Sequence, residues 1–185
     1  SRTAALENIS LEVGKGELLL CTGQSGCGKS TLTRIVSGLI PHVVKGALIG
    51  SVLVGGEDIR ESTPAGLARR IGILFQEPER QFFALNVYDE IALYLQWDGA
   101  SPAEVEAAVM ESAARLCITD LLPQTIFGLS EGQKQKVALA ALLAPKPQGI
   151  ILDEPSANLD PESTLELARI LSRLKREGLA ILVVD

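Results

Sequence analysis

Ile9, Leu11 and Val13 alternate with Ser10 and Glu12, and after a turn at Gly14 to Gly16 comes the apolar run Leu18 to Cys21. Period-two alternation and a short apolar run bounded by glycine are both strand signals, so two strands are expected. The second runs into a glycine-rich stretch, Gly23 to Gly28, followed by a helix-like segment that ends near Gly38 and Pro41. Ser51 to Val54, stopped by Gly55 and Gly56, and Ile71 to Phe75, ending at Gln76, read as further short strands. From about Pro78 to Phe127 the pattern turns helical. Asn86 can cap a helix through Tyr94, and Ser101 with Pro102 and Glu104 opens another that reaches about Cys117. Ser130 introduces a helix to Ala144, which Pro145 and Pro147 separate from the apolar strand Ile150 to Leu152. A last helix begins near Pro161 and stops at Gly178, and Leu179 to Val184 is a final buried strand.

Strands alternating with helices define an α/β chain. Its 185 residues fit one ordinary domain. The hydrophobic share is 46% but the aromatic share only 4%, so the apolar content is Leu, Ala, Ile and Val, as in helices packed on a buried parallel sheet. The longest unbroken apolar run is the eight residues Val137 to Ala144, far short of the roughly 20 that a membrane span needs. Seventeen basic against 23 acidic side chains give a net charge of −6, which argues against a nucleic-acid partner. Three cysteines with no CxxC pair indicate neither a disulfide framework nor a zinc site, and a reducing compartment is the default.

Between the second strand and its helix, Gly23-Gln24-Ser25-Gly26-Cys27-Gly28-Lys29-Ser30 fits GxxxxGK[ST] in the strand, loop, helix setting that pattern requires. Glycines let the backbone wrap closely around phosphate, and N–H groups at a helix start attract anions. Lys29 brings a point charge to the β and γ phosphates, and Ser30 brings an oxygen to Mg²⁺, a hard cation that keeps phosphate and water oxygens in its shell. Ile150-Ile151-Leu152-Asp153-Glu154 delivers two adjacent carboxylates at the carboxyl end of a strand, where α/β sheets place their ligands. Side chains alternate along a strand, so the two acids differ in role. Asp153 is expected to bind Mg²⁺ directly or through water, and Glu154 to polarise the water that attacks the γ-phosphoryl group.

Leu129-Ser130-Glu131-Gly132-Gln133 resembles the LSGGQ signature of ATP-binding-cassette transporters, and Ser156-Ala157-Asn158-Leu159-Asp160 resembles their D-loop. Gln76 stands where their Q-loop glutamine falls, and the order of the motifs agrees. Over nearly its whole length the chain thus resembles the nucleotide-binding domain of that family. The resemblance implies a P-loop NTPase core with a mostly parallel sheet (1–76 and 129–185), a small N-terminal antiparallel β subdomain and an inserted helical subdomain (77–128). It implies that two such domains, as a homodimer or heterodimer, close head to tail on two ATP molecules. Gly23, Gln24, Ser25, Gly26, Cys27, Gly28, Lys29, Ser30 and Thr31 then hold ATP, and Ser130, Gly132, Gln133 and Asp160 face the partner's nucleotide. Glu154 and Gln76 are the expected catalytic residues, and Ser30, Gln76 and Asp153 the expected Mg²⁺ ligands. A transmembrane subunit is the implied further partner, which puts the chain on the cytoplasmic face of the membrane as a peripheral ATPase.

Glu131 departs from the family pattern, which has glycine there. A carboxylate in a first helical turn is locally favourable, but beside a bound γ-phosphate it adds like charge, so this signature is expected to hold partner ATP less tightly. Gln76-Glu77-Pro78-Glu79-Arg80-Gln81-Phe82 resembles the QxPxxQ[FIL] segment of energy-coupling-factor importers for vitamins, cobalt or nickel, and Gly38-Leu39-Ile40-Pro41-His42 is also similar. In that subfamily Phe82 and Phe83 help receive a coupling helix of the membrane subunit. The family's adenine-stacking aromatic and switch histidine have no counterpart here, so the sequence reads as a cassette trimmed at both ends. His42 is assigned a solvated or locally hydrogen-bonded role, and Cys27 is a candidate oxidation-sensitive thiol. Two alternatives stay open: a soluble cassette ATPase of DNA repair, translation or iron–sulfur assembly, and a low-turnover nucleotide-binding regulator.

Overall fold

The computed structural model describes residues 4–185. In chain order its elements are β1 (Leu18–Cys21), α1 (Lys29–Val36), α2 (Leu39–His42), β2 (Leu53–Val54), β3 (Glu57–Asp58), α3 (Pro64–Ala68), β4 (Ile71–Leu74), α4 (Val87–Trp97), α5 (Pro102–Arg115), α6 (Glu131–Leu143), β5 (Gly149–Asp153), α7 (Pro161–Arg176) and β6 (Ala180–Val184). They form two compact units. The first takes the chain up to Ile73 with Pro147–Glu154 and Leu174–Asp185; the second takes Leu74–Lys146 and Pro155–Arg173.

The first unit is built on a sheet in the order β1, β6, β5, β4, with β6 parallel to both β1 and β5. All of β5 is buried, which is why its sequence is a continuous apolar run rather than an alternation. Gly149 opens that strand because a Cβ there would lie 3.0 Å from the Ala180 carbonyl oxygen. Ile151, Leu182 and Val184 form one core with Leu19, Cys21, Val36, Ile71 and Ile73, so α1 is seated on the sheet through Val36. A second cluster, Val54, Ile59 and Leu67, supports the β2–β3 hairpin. The hairpin turns on Gly55 (φ 59°) and Gly56 (φ 86°), the two positive φ values that a two-residue type I′ turn demands.

The antiparallel element is this hairpin and not Ile9 to Val13, which forms no strand. Alternation marks a segment that can pair but does not supply a neighbour, and here Ile9 and Leu11 stay exposed. The five-residue helix α3 was not expected, although its start was written in the chain. Thr63 Oγ1 accepts from Gly66 N at 3.1 Å and Pro64 occupies the first helical position.

The second unit is helical, and its helices begin where capping residues stand. Asn86 Oδ1 accepts from Asp89 N at 2.8 Å to start α4. Ser101 and Glu104 form a reciprocal capping box on α5, with Ser101 N donating to Glu104 Oε2 at 2.8 Å. Helix α6 packs against α4 and α5 and buries Val137, Ala138, Leu139, Ala140 and Leu143, which explains its lack of a clear polar stripe. Ser112 Oγ on α5 donates to the buried Ala140 carbonyl at 2.6 Å. Among the described residues no helix is long and apolar enough to cross a membrane.

Candidate nucleotide-binding site

The glycine-rich loop joins β1 to α1. Unlike α4, α5 and α6, which are capped by side chains, α1 is preceded by Gly28 at φ 104° and ψ 6°, and no side chain hydrogen-bonds its first N–H groups. That leaves them available to an anion at the positive end of the helix. Gly26 is also left-handed (φ 83°), and a Cβ on it would meet nothing within 4 Å, so the loop is open on that side. Lys29 folds its ammonium back over the loop and donates to the carbonyls of Gly23 and Gln24. It therefore lies over the backbone that a phosphate would enter. Cys27 is exposed, with its Sγ close against Gly23.

Cys21, Val184 and Asp153 are level across β1, β6 and β5. The loop and Asp153 thus emerge at the same sheet edge, two strand spacings or about 10 Å apart. Asp153 is 8% exposed and its Oδ1 is buried without a hydrogen-bond partner. Burial and then the neighbouring Glu154 charge push its carboxyl above the ordinary range, while Arg34 and Lys29 pull it back. Arg34, five residues beyond Lys29 on α1, is a member of this charge cluster that the sequence did not point to. That spacing from the lysine does not share a helix face, so the sequence pattern carried no sign of it. Glu154 sits at φ 47°, a left-handed value uncommon for a residue with a side chain, and its N–H donates to Val184 O at 2.7 Å.

A carboxyl raised in this way stabilises the fold most below the ordinary carboxylate pKa, and that contribution is lost as pH rises through the raised value. At neutral pH the ionised Asp153 is therefore a net cost to the nucleotide-free protein. Asp153→Asn is expected to raise its stability at pH 7 by on the order of 1 kcal/mol, with the gain vanishing in acid; denaturant titrations at both pH values check this. A gain that persists undiminished in acid would contradict the assignment.

The remaining motif residues belong to the second unit. Gln76 is exposed, and the segment after it is closed by Gln81 Oε1 accepting from Phe75 N at 3.0 Å. Ser130 caps α6: its Oγ accepts from Gln133 N at 3.3 Å, and Gln133 Oε1 accepts from Ser130 N at 2.9 Å. Asp160 caps α7, with Oδ1 accepting from the N–H groups of Glu162 and Ser163 at 2.9 Å and Oδ2 from Ser163 Oγ at 2.7 Å. These bonds, that from the Ser163 hydroxyl foremost, hold the Asp160 carboxyl below the usual range. The signature packs against the first turn of α7, because a Cβ on Gly132 would lie 2.7 Å from Oγ of Ser163, the hydroxyl that donates to Asp160. Glu131 is not the bare anion that its place in the signature implied. Lys134 Nζ donates to Glu131 Oε1 at 2.8 Å and to Glu79 Oε2 at 3.0 Å. Outside the motifs, His42 Nε2 donates to Ile59 O at 2.7 Å, a local role as expected.

An α/β sheet carrying a glycine-capped phosphate loop level with a strand-end carboxylate is the architecture of a P-loop nucleotide-binding domain. Residues 6–157 match the ABC transporter family, and the chain belongs to that family, whose ATP-binding domains bind and hydrolyse ATP. It is 38% identical over 178 residues to an ATP-binding protein of Treponema denticola provisionally named as an ABC transporter component, a match covering 96% of this chain and 36% of that protein. It is 40% identical over 181 residues to YkoD of Bacillus subtilis, an ATP-binding protein whose name provisionally assigns it to HMP/thiamine import, covering 97% of this chain and 33% of YkoD. Among solved structures it resembles cbiO1 of Clostridium perfringens, described as part of the ABC transporter complex cbiONQ. There the TM-score is 0.87 and the identity 30%, over 97% of this chain and 70% of that one. The chain spans about a third of the length of both curated relatives.

Proposed function

We propose that this chain is the ATPase cassette of an importer of the energy-coupling-factor kind, in which ATP closes a dimer of cassettes and hydrolysis reopens it. The observation that carries the reading is the glycine-capped start of α1 level with the orphaned Asp153 oxygen. The whole chain acts as one cassette, with residues 77–128 as the helical subdomain that faces the membrane subunit. Gly23 to Thr31 hold ATP, with Lys29 leaving the loop carbonyls for the β and γ phosphates. Ser30 and Asp153 would hold Mg²⁺, which neutralises phosphate charge when bound; an unpartnered carboxylate oxygen on a strand that ends level with the phosphate loop suits a hard cation that takes few protein ligands. Glu154 accepts a proton from the attacking water. The part of Gln76 toward Mg²⁺ and that water rests on the family resemblance, as does the facing of Ser130, Gly132, Gln133 and Asp160 toward a partner's ATP. The name of YkoD supports an import role, and the place of cbiO1 in a transporter complex supports work beside membrane subunits; the cytoplasmic, peripheral place follows from the family resemblance.

The membrane-facing surface has a physical candidate in the second unit. Phe83, Leu85, Trp97 and Phe127 are each at least 70% exposed, and Phe83 meets Trp97 edge-on with ring centroids 6.1 Å apart. The loop is held open by buried Glu90, whose Oε2 accepts from Phe83 N and Ala84 N at 2.8 Å each. Hydrogen bonds between Leu85–Val87 and Gln124–Ile126 bring the Phe127 turn alongside it. An apolar patch of this kind on a folded unit marks a docking surface. Replacing Phe82 and Phe83 together by Ser is expected to reduce copurification with membrane subunits severalfold while ATP affinity stays within about twofold, since hot-spot aromatics carry most of an interface's energy. Steady-state phosphate release and copurification of the full-length protein test the proposal. Absence of turnover would remove the ATPase reading, and turnover without membrane partners would leave a soluble cassette.

A further inference from the structure

We propose that Lys134 is a charge-compensating residue that allows an acidic signature to receive a partner's γ-phosphate; this rests on the dimer reading above. Glu131 is the first residue of α6, directly after the cap Ser130. Its carboxylate and an incoming phosphate are drawn to the same positive helix end, and they repel each other there. Lys134 lies one turn on, with its side chain only 14% exposed, whereas Glu131 and Glu79 are 47% and 54% exposed. Its ammonium is therefore held beside the helix start by these two carboxylates.

Two carboxylates fix it, Glu131 at 2.8 Å and Glu79 at 3.0 Å, and both raise its pKa, so it stays cationic. Glu79 lies in the turn that follows Gln76, so Lys134 is anchored from outside its own helix and keeps its place when Glu131 is removed. Of the residues that face this ammonium, the two acids are the ones it pairs with, and it is the cation that pairs with Glu131.

The test is a coupling measurement in the full-length protein carrying Glu154→Gln to block turnover, with ATP and Mg²⁺, followed by sedimentation. K134M is expected to weaken ATP-driven dimerisation about tenfold or more, K134R to keep it near the parent, and E131G with K134M to recover most of the loss. The K134M defect should shrink as salt rises, because it is electrostatic. Thermal melting and binding of a fluorescent ATP analogue at the chain's own phosphate loop check that the variants are folded; K134Q substitutes for K134M if the latter melts. A parent that stays monomeric with saturating ATP overturns the dimer reading and this inference with it. A parent that dimerises while K134M is unaffected, or a K134M defect of the same size with and without E131G, overturns the inference alone.

Discussion

Glu154→Gln is expected to lower steady-state phosphate release by about 10²- to 10⁴-fold, the range that a positioned general base contributes, while leaving ATP binding intact. The amide matches the carboxylate in shape but takes no proton from water. The turn that aims residue 154 is set by the backbone, φ 47° with the N–H fixed to Val184 O at 2.7 Å, and neither depends on the side-chain charge. The substitution has a second readout away from chemistry. Glu154 is one of the groups that push the Asp153 carboxyl up, so its neutralisation should let Asp153 ionise at lower pH and make the nucleotide-free protein slightly more stable near neutrality. The ATP-bound dimer should accumulate, because closure is kept and hydrolysis is not. Turnover within about threefold of the parent would mean that the base lies elsewhere.

How far the site could be read in the chain depends on the range over which each part is determined. The phosphate loop was legible because its glycines answer to local backbone geometry: φ 83° at Gly26 and φ 104° at Gly28 are values that side chains avoid. The helix starts at Asn86, Ser101 and Ser130 were legible for the same reason, since a cap acts within three residues. The strand β5 announced itself by uninterrupted burial. What failed depends on distant partners. The alternation at Ile9 to Val13 could not show whether a strand lay beside it. Arg34 joins the site through its field at Asp153, and the second anchor of Lys134, Glu79, lies 55 positions earlier. Glu131 looked anomalous because it was weighed against the family pattern and not against Lys134, three residues on, an i,i+3 spacing that was readable in the chain.

The two helix starts that the family uses for phosphate are also built differently. That of α6 is closed by a serine and a glutamine that satisfy each other's backbone, while that of α1 has no side chain before it. An anion at α1 thus meets N–H groups that no capping side chain already engages. At α6 it must share donors with an existing box. Glycine at one cap and serine at the other is therefore the local difference on which the proposed roles of the two helix starts rest.

Gly28→Ala is accordingly expected to be the most damaging single change to nucleotide binding. At φ 104° a Cβ is strained whatever the space, and here it would also lie 2.6 Å from Leu6 Cδ2 and 2.7 Å from the Ala5 carbonyl oxygen. A leucine tip can move, but a backbone oxygen cannot without shifting its chain. The loop must therefore change conformation, which reorients the first N–H groups of α1. Stability should fall by roughly 2–3 kcal/mol and ATP affinity by at least about 100-fold. Gly26→Ala separates strain from collision. Its φ of 83° is also positive, but a Cβ there meets nothing within 4 Å, so it should cost only about 1 kcal/mol of stability in the nucleotide-free protein. If its methyl group stands in the path of the phosphate, affinity will fall well beyond that stability loss. Thermal melting without nucleotide and titration with a fluorescent ATP analogue distinguish the two variants. A Gly28→Ala protein that melts with the parent and binds ATP normally would show that the loop reaches its working geometry without this glycine, and the account of α1 as an open anion site would have to be given up.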